Sequence, residues 1–336
     1  MSEIKVSEID KNEYALWDEL VECSPHGTIF HSTDWLTMCS EASNRNLKIF
    51  GCFENDILVG GCSLFVHNLK GDFKVASSTC SMTPYGGVVL EQESNNMGRR
   101  QLHRHQNLIK HLYEALYKEK FHSVQITNPP EFLDIRPFTW NGWDCEIKYA
   151  YYMNLEKDIE KNLSKGVKEN IKKALKKGIQ TERRMDVKRH YELSKMIYEK
   201  QGLKPPVNEE FFENVVNLLK SKNIGEMMVS ETSEGEIVAS NIVLWDKKKA
   251  YGWSAASDPA FRKLGANVLQ IQELFKYLKN QGFKNIDCMS ANTPRLTEFI
   301  VGFHPTLIPY YRIGKEGHKY RLVKNIYQTY KKIGFK

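Results

Sequence analysis

The stretch LIKHLYEALYKEKFHSVQI, residues 108–126, recurs in modified form as QIQELFKYLKNQGFKNIDC, residues 270–288. The two stretches align without a gap at an offset of 162 residues, so that Leu112 matches Leu274. Apolar residues three and four positions apart are typical of the buried stripe of an amphipathic helix, and the short apolar segment after the turn is typical of a strand. Each stretch is therefore predicted to be a helix followed by a strand.

A second recurrence lies upstream of each helix. Residues 50–66, FGCFENDILVGGCSLFV, and residues 228–245, MVSETSEGEIVASNIVLW, both contain a strand, an acidic turn and a longer strand with apolar residues at alternate positions. Each segment predicts an antiparallel hairpin. Because hairpin, helix and strand recur in the same order, we interpret the chain as a duplication of one structural unit.

The duplication sets the predicted fold class and domain boundaries. The fold is expected to be α/β, of the α+β type, with two tandem domains that each have a mixed, mainly antiparallel sheet flanked by helices. The first domain is predicted to span residues 1–148 and the second residues 149–313, and a strand is expected to start at Tyr149, at the boundary. The basic helix within residues 314–336 is expected to pack back on the first domain. The length of 336 residues suits two domains of ordinary size.

The composition is that of a folded globular protein. Hydrophobic residues make up 41% of the chain and charged residues 26%, which argues against disorder. The first residues are charged and lack the layout of a signal peptide, and no apolar run approaches the roughly 18 residues that span a bilayer. A cytoplasmic location is therefore expected, and the net charge of +7 favours anionic partners.

Three segments share the order and motifs of a known group of enzymes. They are SPHGTIFHSTDWL at 24–36, LSKGVKENIKKALKKGIQTE at 163–182 and YGWSAASDPAFRKLGANVLQIQEL at 251–274. Together they resemble the FemAB-like acyltransferases, which have tandem acetyltransferase-type (GNAT) domains. The resemblance implies an N-acyltransferase that moves an acetyl or aminoacyl group to an amine of a small molecule or a cell-envelope precursor. The implied co-substrate is acyl-CoA or aminoacyl-tRNA, with no permanently bound cofactor.

The resemblance also implies a donor-binding loop in the second domain. Arg262, Gly265 and Asn267 lie between a predicted strand and the repeated helix, where GNAT enzymes have an R-x-x-G-x-G/A segment. A glycine there lets the backbone approach a pyrophosphate, and the N–H groups that begin a helix attract anions. A plain helix start is the alternative interpretation. The first copy has Arg100 but His103 in place of the glycine, so no donor is expected there.

Acyl transfer to an amine requires a base, an acid for the leaving group and donors to the oxyanion. We predict Asp287, on the second repeated strand, as the base or as a residue that orients a water molecule, and Tyr310 or Tyr311 as the acid. The oxyanion donors are predicted to be backbone N–H groups near Trp253, which is also a predicted donor-binding residue. No metal is expected, since the histidines lack ligand spacing.

Five polar or aromatic residues at strand ends and turns are predicted to bind substrate: Trp35, Tyr85, Lys200, Ser290 and Asn292. Packing in the core is the alternative for the aromatic ones. Lys200 lies where the cell-wall aminoacyltransferases have a residue that contacts substrate phosphate.

Two positions depart from the pattern of the cell-wall aminoacyltransferases. Ile300 follows Phe299 where those enzymes have a lysine, and Thr37 replaces a phosphate-binding lysine. An isoleucine can neither donate a hydrogen bond nor stabilise an oxyanion. These departures leave a second hypothesis open, a non-catalytic substrate-binding module with a duplicated fold.

Two basic helices suggest anionic partners. The first is predicted over residues 161–177, with a stripe of lysines that could follow the phosphates of tRNA or of a nucleotide-linked substrate, or could be a solvated face. The second, residues 318–333, could contact a membrane surface or pack on the protein. No DNA partner is expected. The stripe on the first helix consists of Lys161, Lys165, Lys168, Lys172 and Lys176.

Overall fold

The computed structural model describes residues 3–91 and 98–333; the side chains of positions 290, 295 and 327–333 lie outside this description. The chain divides into two compact units. The first contains residues 1–148 and 310–336, and the second contains residues 149–309. Each unit is considered by itself below.

The first unit begins with β1 (Ile4–Glu8), α1 (Tyr14–Cys23), α2 (Thr33–Ser43), β2 (Asn46–Glu54), β3 (Ile57–Leu69), β4 (Phe73–Ser77), β5 (Gly87–Leu90), α3 (Arg99–Lys118), β6 (Ser123–Thr127) and α4 (Arg136–Thr139). Strand β7 (Asp144–Asn154) begins in the first unit and ends in the second. The second unit continues with α5 (Lys165–Lys176), β8 (Gln180–Arg183), α6 (Val187–Glu199), α7 (Glu209–Lys222), β9 (Gly225–Glu231), β10 (Ile237–Trp245), β11 (Ala250–Ser257), α8 (Ala266–Asn280), β12 (Asn285–Ser290) and α9 (Pro294–Ile300). Strand β13 (Thr306–Glu316) returns to the first unit, which ends with α10 (His318–Ile333).

Both units have the same kind of sheet. In the first, the strand order is β1-β2-β3-β4-β6-β13, with β5 paired to β3, and β4–β6 is the parallel pair. In the second, the order is β7-β12-β11-β10-β9-β8, and β11–β12 is the parallel pair. Hairpins join the antiparallel pairs β2–β3 and β9–β10, whereas each parallel pair is bridged by the repeated helix, as parallel strands require a crossover. The predicted mixed, mainly antiparallel sheets are thereby confirmed.

The internal repeat is visible in the element boundaries. Helix α3 ends at Lys118 and β6 begins at Ser123, and α8 ends at Asn280 and β12 begins at Asn285, so both boundaries differ by the 162 residues of the sequence offset. The two predicted hairpins are β2–β3 and β9–β10. The buried faces of α3 and α8 pack into separate apolar cores, one in each unit.

Two sequence-based boundaries were wrong. The lysine-rich helix α5 begins at Lys165 rather than Lys161, because Ser164 caps it: the Ser164 Oγ accepts a hydrogen bond from the Val167 N–H at 3.3 Å. Lys161 therefore lies outside the helix and its lysine stripe. The strand expected to start at Tyr149 starts at Asp144 instead.

Within the described ranges, no helix combines the length and the apolar character needed to cross a membrane.

Candidate active site

The most distinctive feature of the second unit is the point where its two parallel strands stop pairing. The ladder between β11 and β12 consists of Ala250 with Ile286 and Tyr251 with Asp287. Strand β11 nevertheless continues to Ser257, paired with β10 on its other side. Beyond Tyr251, one edge of β11 therefore borders the space beside β12, where an extended ligand could add to the sheet.

A β-bulge lies at this opening. The pairing of β10 with β11 shifts between Ile242–Ser254 and Val243–Gly252, so Trp253 is the extra residue. A bulge bends the strand and redirects its backbone groups, and bulges are frequent next to active sites. This is the segment where the sequence predicted oxyanion donors.

The Trp253 ring is turned away from solvent. It is 7% exposed and packs on Phe211 and Phe212 of α7, with ring centroids 6.2 and 5.8 Å away. Any contact of Trp253 with a donor must therefore come mainly from its backbone.

A buried histidine forms a hydrogen bond to the strand next to the bulge. His190 of α6 is fully buried between two serines: its Nδ1 lies 2.6 Å from the Ser240 Oγ on β10, and its Nε2 lies 2.9 Å from the Ser254 Oγ on β11. Burial lowers the pKa of His190 to about 4, so the ring is neutral at pH 7. One ring nitrogen then donates a hydrogen bond and the other accepts one. No local sequence pattern indicates this network, since His190 is 50 residues from Ser240 and 64 residues from Ser254.

The His190 network predicts a pH dependence of stability. Because the folded pKa of about 4 lies below the usual 6.5, the unfolded chain takes up a proton on this residue that the folded chain does not. This contribution to the free energy of unfolding is complete above pH 6.5 and is lost as the pH falls to about 4, a loss of about 3 kcal/mol. Urea denaturation at pH 7 and 4.5 measures it. Between pH 7 and 4.5, the free energy of unfolding should fall less in H190Q than in the parent protein. It should fall as much as in the parent in H304Q, whose histidine is exposed. An equal fall in the parent, H190Q and H304Q would contradict the assignment to His190.

The predicted donor loop forms the start of α8. Residues 262–264 make a short 3₁₀ turn, and Gly265 adopts a φ of +78° before the helix begins at Ala266. A Cβ atom on Gly265 would lie 2.5 Å from the Asn170 carbonyl oxygen of α5. The sequence attributed this glycine to the approach of a pyrophosphate, whereas the structure shows a close approach of α5. Arg262 and Asn267 are half-buried on either side of it.

In the first unit, the chain itself fills the space between the ends of the two parallel strands, β4 and β6, which corresponds to the opening between β11 and β12. Gly86 donates a backbone hydrogen bond to the Thr127 carbonyl at the end of β6, at 3.1 Å, and a Cβ atom on it would lie 2.0 Å from the Ser78 carbonyl oxygen just after β4. The next residues are fixed as well, since the Asn128 Oδ1 accepts a hydrogen bond from the Val88 N–H at 3.1 Å. A donor has no room between the ends of β4 and β6. This is a stronger reason than the His103 substitution for expecting no donor there.

Asp287, the predicted base, has no exposed surface. Its Oδ1 accepts a hydrogen bond from the Met289 N–H at 2.8 Å, and Met289 has a φ of +54° where the pairing of β12 with β7 shifts. The carboxylate therefore stabilises the bend of β12. This burial argues against direct contact of Asp287 with a substrate.

Four predicted residues lie in the first unit. Trp35 and Tyr85 are 0% and 1% exposed, so their side chains belong to the core and offer no surface for substrate, contrary to the sequence-based prediction. The Trp35 Nε1 donates to the Thr83 Oγ1 at 3.1 Å. Tyr310 packs edge-to-face on Tyr85 at 5.2 Å, and the half-buried Tyr311 uses its backbone carbonyl as an acceptor for the Asn128 N–H.

The remaining predicted substrate residues are in the second unit, where they lie on different elements. Lys200 is exposed at the end of α6. Asn292 is exposed, and its side-chain amide bonds to both the N–H and the carbonyl of Tyr149, each at 2.9 Å, which gives it a structural role. The backbone of Ser290 ends β12, and its side chain lies outside the described residues.

Ile300, one of the two departures from the family pattern, is 8% exposed in the apolar core of the second unit. Its side chain contributes packing there, which explains an apolar residue at this position. Thr37, the other departure, is half-buried in α2.

A polar pocket of about 620 Å³ lies elsewhere on the second unit, near the start of α5. Within the described part of the chain, no group of His, Cys, Asp and Glu residues is arranged to hold a metal ion. The pocket is lined by Met153, Asn154, Lys157, Lys161, Asn162, Leu163, His304 and Thr306.

Part of the second unit matches a known domain family. Residues 161–294 match the family model of the acetyltransferase (GNAT) domain, which includes β11, α8 and β12. The second unit thus contains a region that matches a GNAT-type acetyltransferase domain. No curated protein matches the chain in sequence.

Solved structures extend the likeness to the whole chain. The crystal structure of FemX is similar over 91% of this chain and 96% of its own, with a TM-score of 0.66 at 14% identity. A tandem GNAT protein from the clavulanic acid biosynthesis pathway covers 94% and 98%, with a TM-score of 0.57 at 11% identity. L-PGS from Bacillus licheniformis covers 91% and 92%, with a TM-score of 0.57 at 12% identity. The chain therefore has the tandem GNAT fold.

Proposed function

We propose that the second unit catalyses N-acyl transfer and holds the acyl donor between β11 and β12, beyond the point where their ladder ends. The observation that carries the proposal is the ladder between these strands, which ends after Tyr251 and Asp287, with a bulge at Trp253 beside the opening. The match to the GNAT acetyltransferase domain supports this proposal.

In this proposal, the reacting carbonyl lies beside the bulge. The acceptor amine attacks the carbonyl carbon, a tetrahedral oxyanion forms, and the thiolate or ribose oxygen of the donor leaves as the new amide bond is completed. Backbone N–H groups near Trp253 stabilise the oxyanion, which is the contribution expected to be largest for such donors. The amine loses one proton overall, and the leaving group gains one. His190 and Asp287 act indirectly, by fixing the backbones of β11 and β12.

The phosphates of the donor are proposed to lie at the start of α8. The dipole and the first N–H groups of a helix favour an anion, although the N–H groups of Gly265 and Val268 already donate to the carbonyls of Arg262 and Gly265, at 3.3 and 3.1 Å. Arg262 and the exposed Lys263 add positive charge there. Both CoA and the 3′ end of aminoacyl-tRNA are anionic, so this site suits either donor. The exposed lysines of α5, Lys168, Lys172 and Lys176, would favour the longer polyanion.

The acceptor is proposed to be an amine of a small molecule or a cell-envelope precursor. The structural likeness to FemX and L-PGS motivates the second of these, and the likeness to the tandem GNAT protein of clavulanic acid biosynthesis motivates the first. A binding module without turnover is the competing function, favoured by the apolar Ile300 in the core and by the filled site of the first unit.

Donor-induced stabilisation tests the proposal. We expect CoA, acetyl-CoA or aminoacyl-tRNA, present at about 100 times its Kd, to raise the free energy of unfolding by about 2.7 kcal/mol and the melting temperature accordingly. In R262E the donor affinity should fall at least about tenfold because a positive charge at the phosphate site is reversed. K220E on α7, which reverses an exposed charge elsewhere in the unit, is the matched control.

The outcomes separate the two functions. Stabilisation together with transfer of the acyl group to hydroxylamine or a model amine supports the acyltransferase. Stabilisation without any transfer supports the binding module, and no stabilisation by any of the three donors contradicts the proposed site.

A further inference from the structure

Helix α10 is held on the first unit by its polar side. The side chains that make these contacts are Tyr320, Arg321 and Lys324, which lie within about one third of a turn of each other at 3.6 residues per turn. Their contacts are the edge-to-face packing of Tyr320 on Phe73 at 5.6 Å, the ion pair of Arg321 with Asp144 at 3.0 Å, and the ion pair of Lys324 with Glu316.

Over residues 318–326, whose side chains the structure describes, the apolar side of α10 faces solvent. Leu322, Val323 and Ile326 are 52%, 49% and 64% exposed, and they lie on the side of the helix opposite to the contacts. This is the reverse of an ordinary surface helix, whose apolar stripe faces the core. We name Leu322, Val323 and Ile326 the outer face of α10. A contiguous apolar face left in water is typical of an interaction site.

The charged side chains of α10 itself are all basic. Residues 317–336 contain six lysines and arginines and no aspartate or glutamate. Among them, Lys319 is exposed on the same side of the helix as the outer face. An apolar face bordered by basic residues fits a surface that is apolar inside and anionic outside.

An exposed tryptophan lies on a turn that is hydrogen-bonded to the strand preceding α10. Trp140 is 65% exposed, and the Lys315 Nζ donates to the carbonyls of the next two residues, Asn141 and Gly142, at 3.1 and 2.7 Å. Lys315 belongs to β13, which leads directly into α10. Tryptophan is enriched at the boundary between lipid and water.

We propose that α10 is a peripheral membrane-binding helix, which inserts Leu322, Val323 and Ile326 into the headgroup region of a bilayer that contains anionic lipids. The ion pairs of Arg321 and Lys324 keep the helix on the first unit while its outer face is inserted. Binding of this kind is reversible and weakens with salt, since electrostatic attraction contributes to it. The surface is independent of the acyl-transfer site, and the inference does not rest on the proposed function.

Co-sedimentation of the full chain with vesicles tests the inference. We expect binding to vesicles of equal parts phosphatidylglycerol and phosphatidylcholine, and at least tenfold weaker binding to phosphatidylcholine alone. In the double variant L322E/I326E, binding to the anionic vesicles should fall at least tenfold. The positions are exposed, so the fold should persist, which circular dichroism checks. The control L203E alters a leucine that is 55% exposed in the second unit and should bind like the parent protein.

Three results would overturn the inference. They are no binding of the parent protein to anionic vesicles, equal binding of L322E/I326E, and equal loss of binding in L203E. Size-exclusion chromatography with light scattering tests another occupant: a parent dimer that becomes a monomer in L322E/I326E, without vesicle binding, would assign the outer face to a second copy of the chain.

Discussion

Replacement of Gly86 by alanine should destabilise the first unit by about 3 kcal/mol or more, because the new methyl group would lie 2.0 Å from the Ser78 carbonyl oxygen. The neighbouring atom is backbone, so no side-chain rotation relieves the overlap. Gly86 also donates to the Thr127 carbonyl, which ties it to the end of β6. Urea denaturation followed by far-ultraviolet circular dichroism measures the loss.

The matched control for G86A is G98A. Gly98 precedes α3 in the same unit, and a Cβ atom on it would meet no atom within 4 Å. Its substitution should change the free energy of unfolding by about 1 kcal/mol or less. Equal stability of G86A and G98A would show that the chain does not fill the space between β4 and β6. The first unit would then again be a candidate for a donor site.

Replacement of Gly265 by alanine should have the second large effect, on stability and on donor binding together. The alanine Cβ would lie 2.5 Å from the Asn170 carbonyl oxygen, and a φ of +78° is unfavourable for any residue with a side chain. We expect a loss of about 2–4 kcal/mol in the free energy of unfolding, with α5 displaced from the start of α8. Because the proposed phosphate site lies at that helix start, donor affinity should fall at least about tenfold.

The control for G265A is G166A on the facing helix. Gly166 lies within α5 with no atom near its missing Cβ, so alanine there should stabilise the protein by about 0.5–1 kcal/mol through helix propensity. Denaturation and a thermal shift with donor measure both properties in both variants. If G265A is destabilised but binds the donor normally, Gly265 does not contribute to the donor site and its role is purely structural.

Much of the fold could be predicted from local patterns. Apolar residues three and four positions apart indicate the buried stripes of α3 and α8, and the short apolar segment after each helix indicates a strand. The offset of 162 residues is the same in the sequence and in the element boundaries. The hairpins also follow from alternation over a few residues. Helix α5 was placed four residues too early, because its lysines continue past the cap at Ser164.

The candidate site was harder to predict, because its decisive contacts join distant residues. Gly265 meets Asn170 from another helix, and His190 meets Ser254 from another strand. The motifs predicted a donor loop at residues 262–267 and oxyanion donors near Trp253, and both stay predictions; they attributed Gly265 to the ligand, whereas the structure places it against Asn170. They also predicted Trp35 and Tyr85 as substrate-binding residues, with core packing as the alternative, since an aromatic residue at a strand end or turn has the same local pattern whether it lines a pocket or fills a core.

Amide hydrogen exchange of the full chain with each donor in turn tests the location of the donor site most directly. With at least one of CoA, acetyl-CoA and aminoacyl-tRNA, exchange should slow at residues 253–257 of β11 and at residues 262–267 before and within α8, while residues 78–88 of the first unit remain unchanged. Protection confined to residues 78–88, or no protection at residues 253–257 by any of the three donors, would contradict a donor site between β11 and β12.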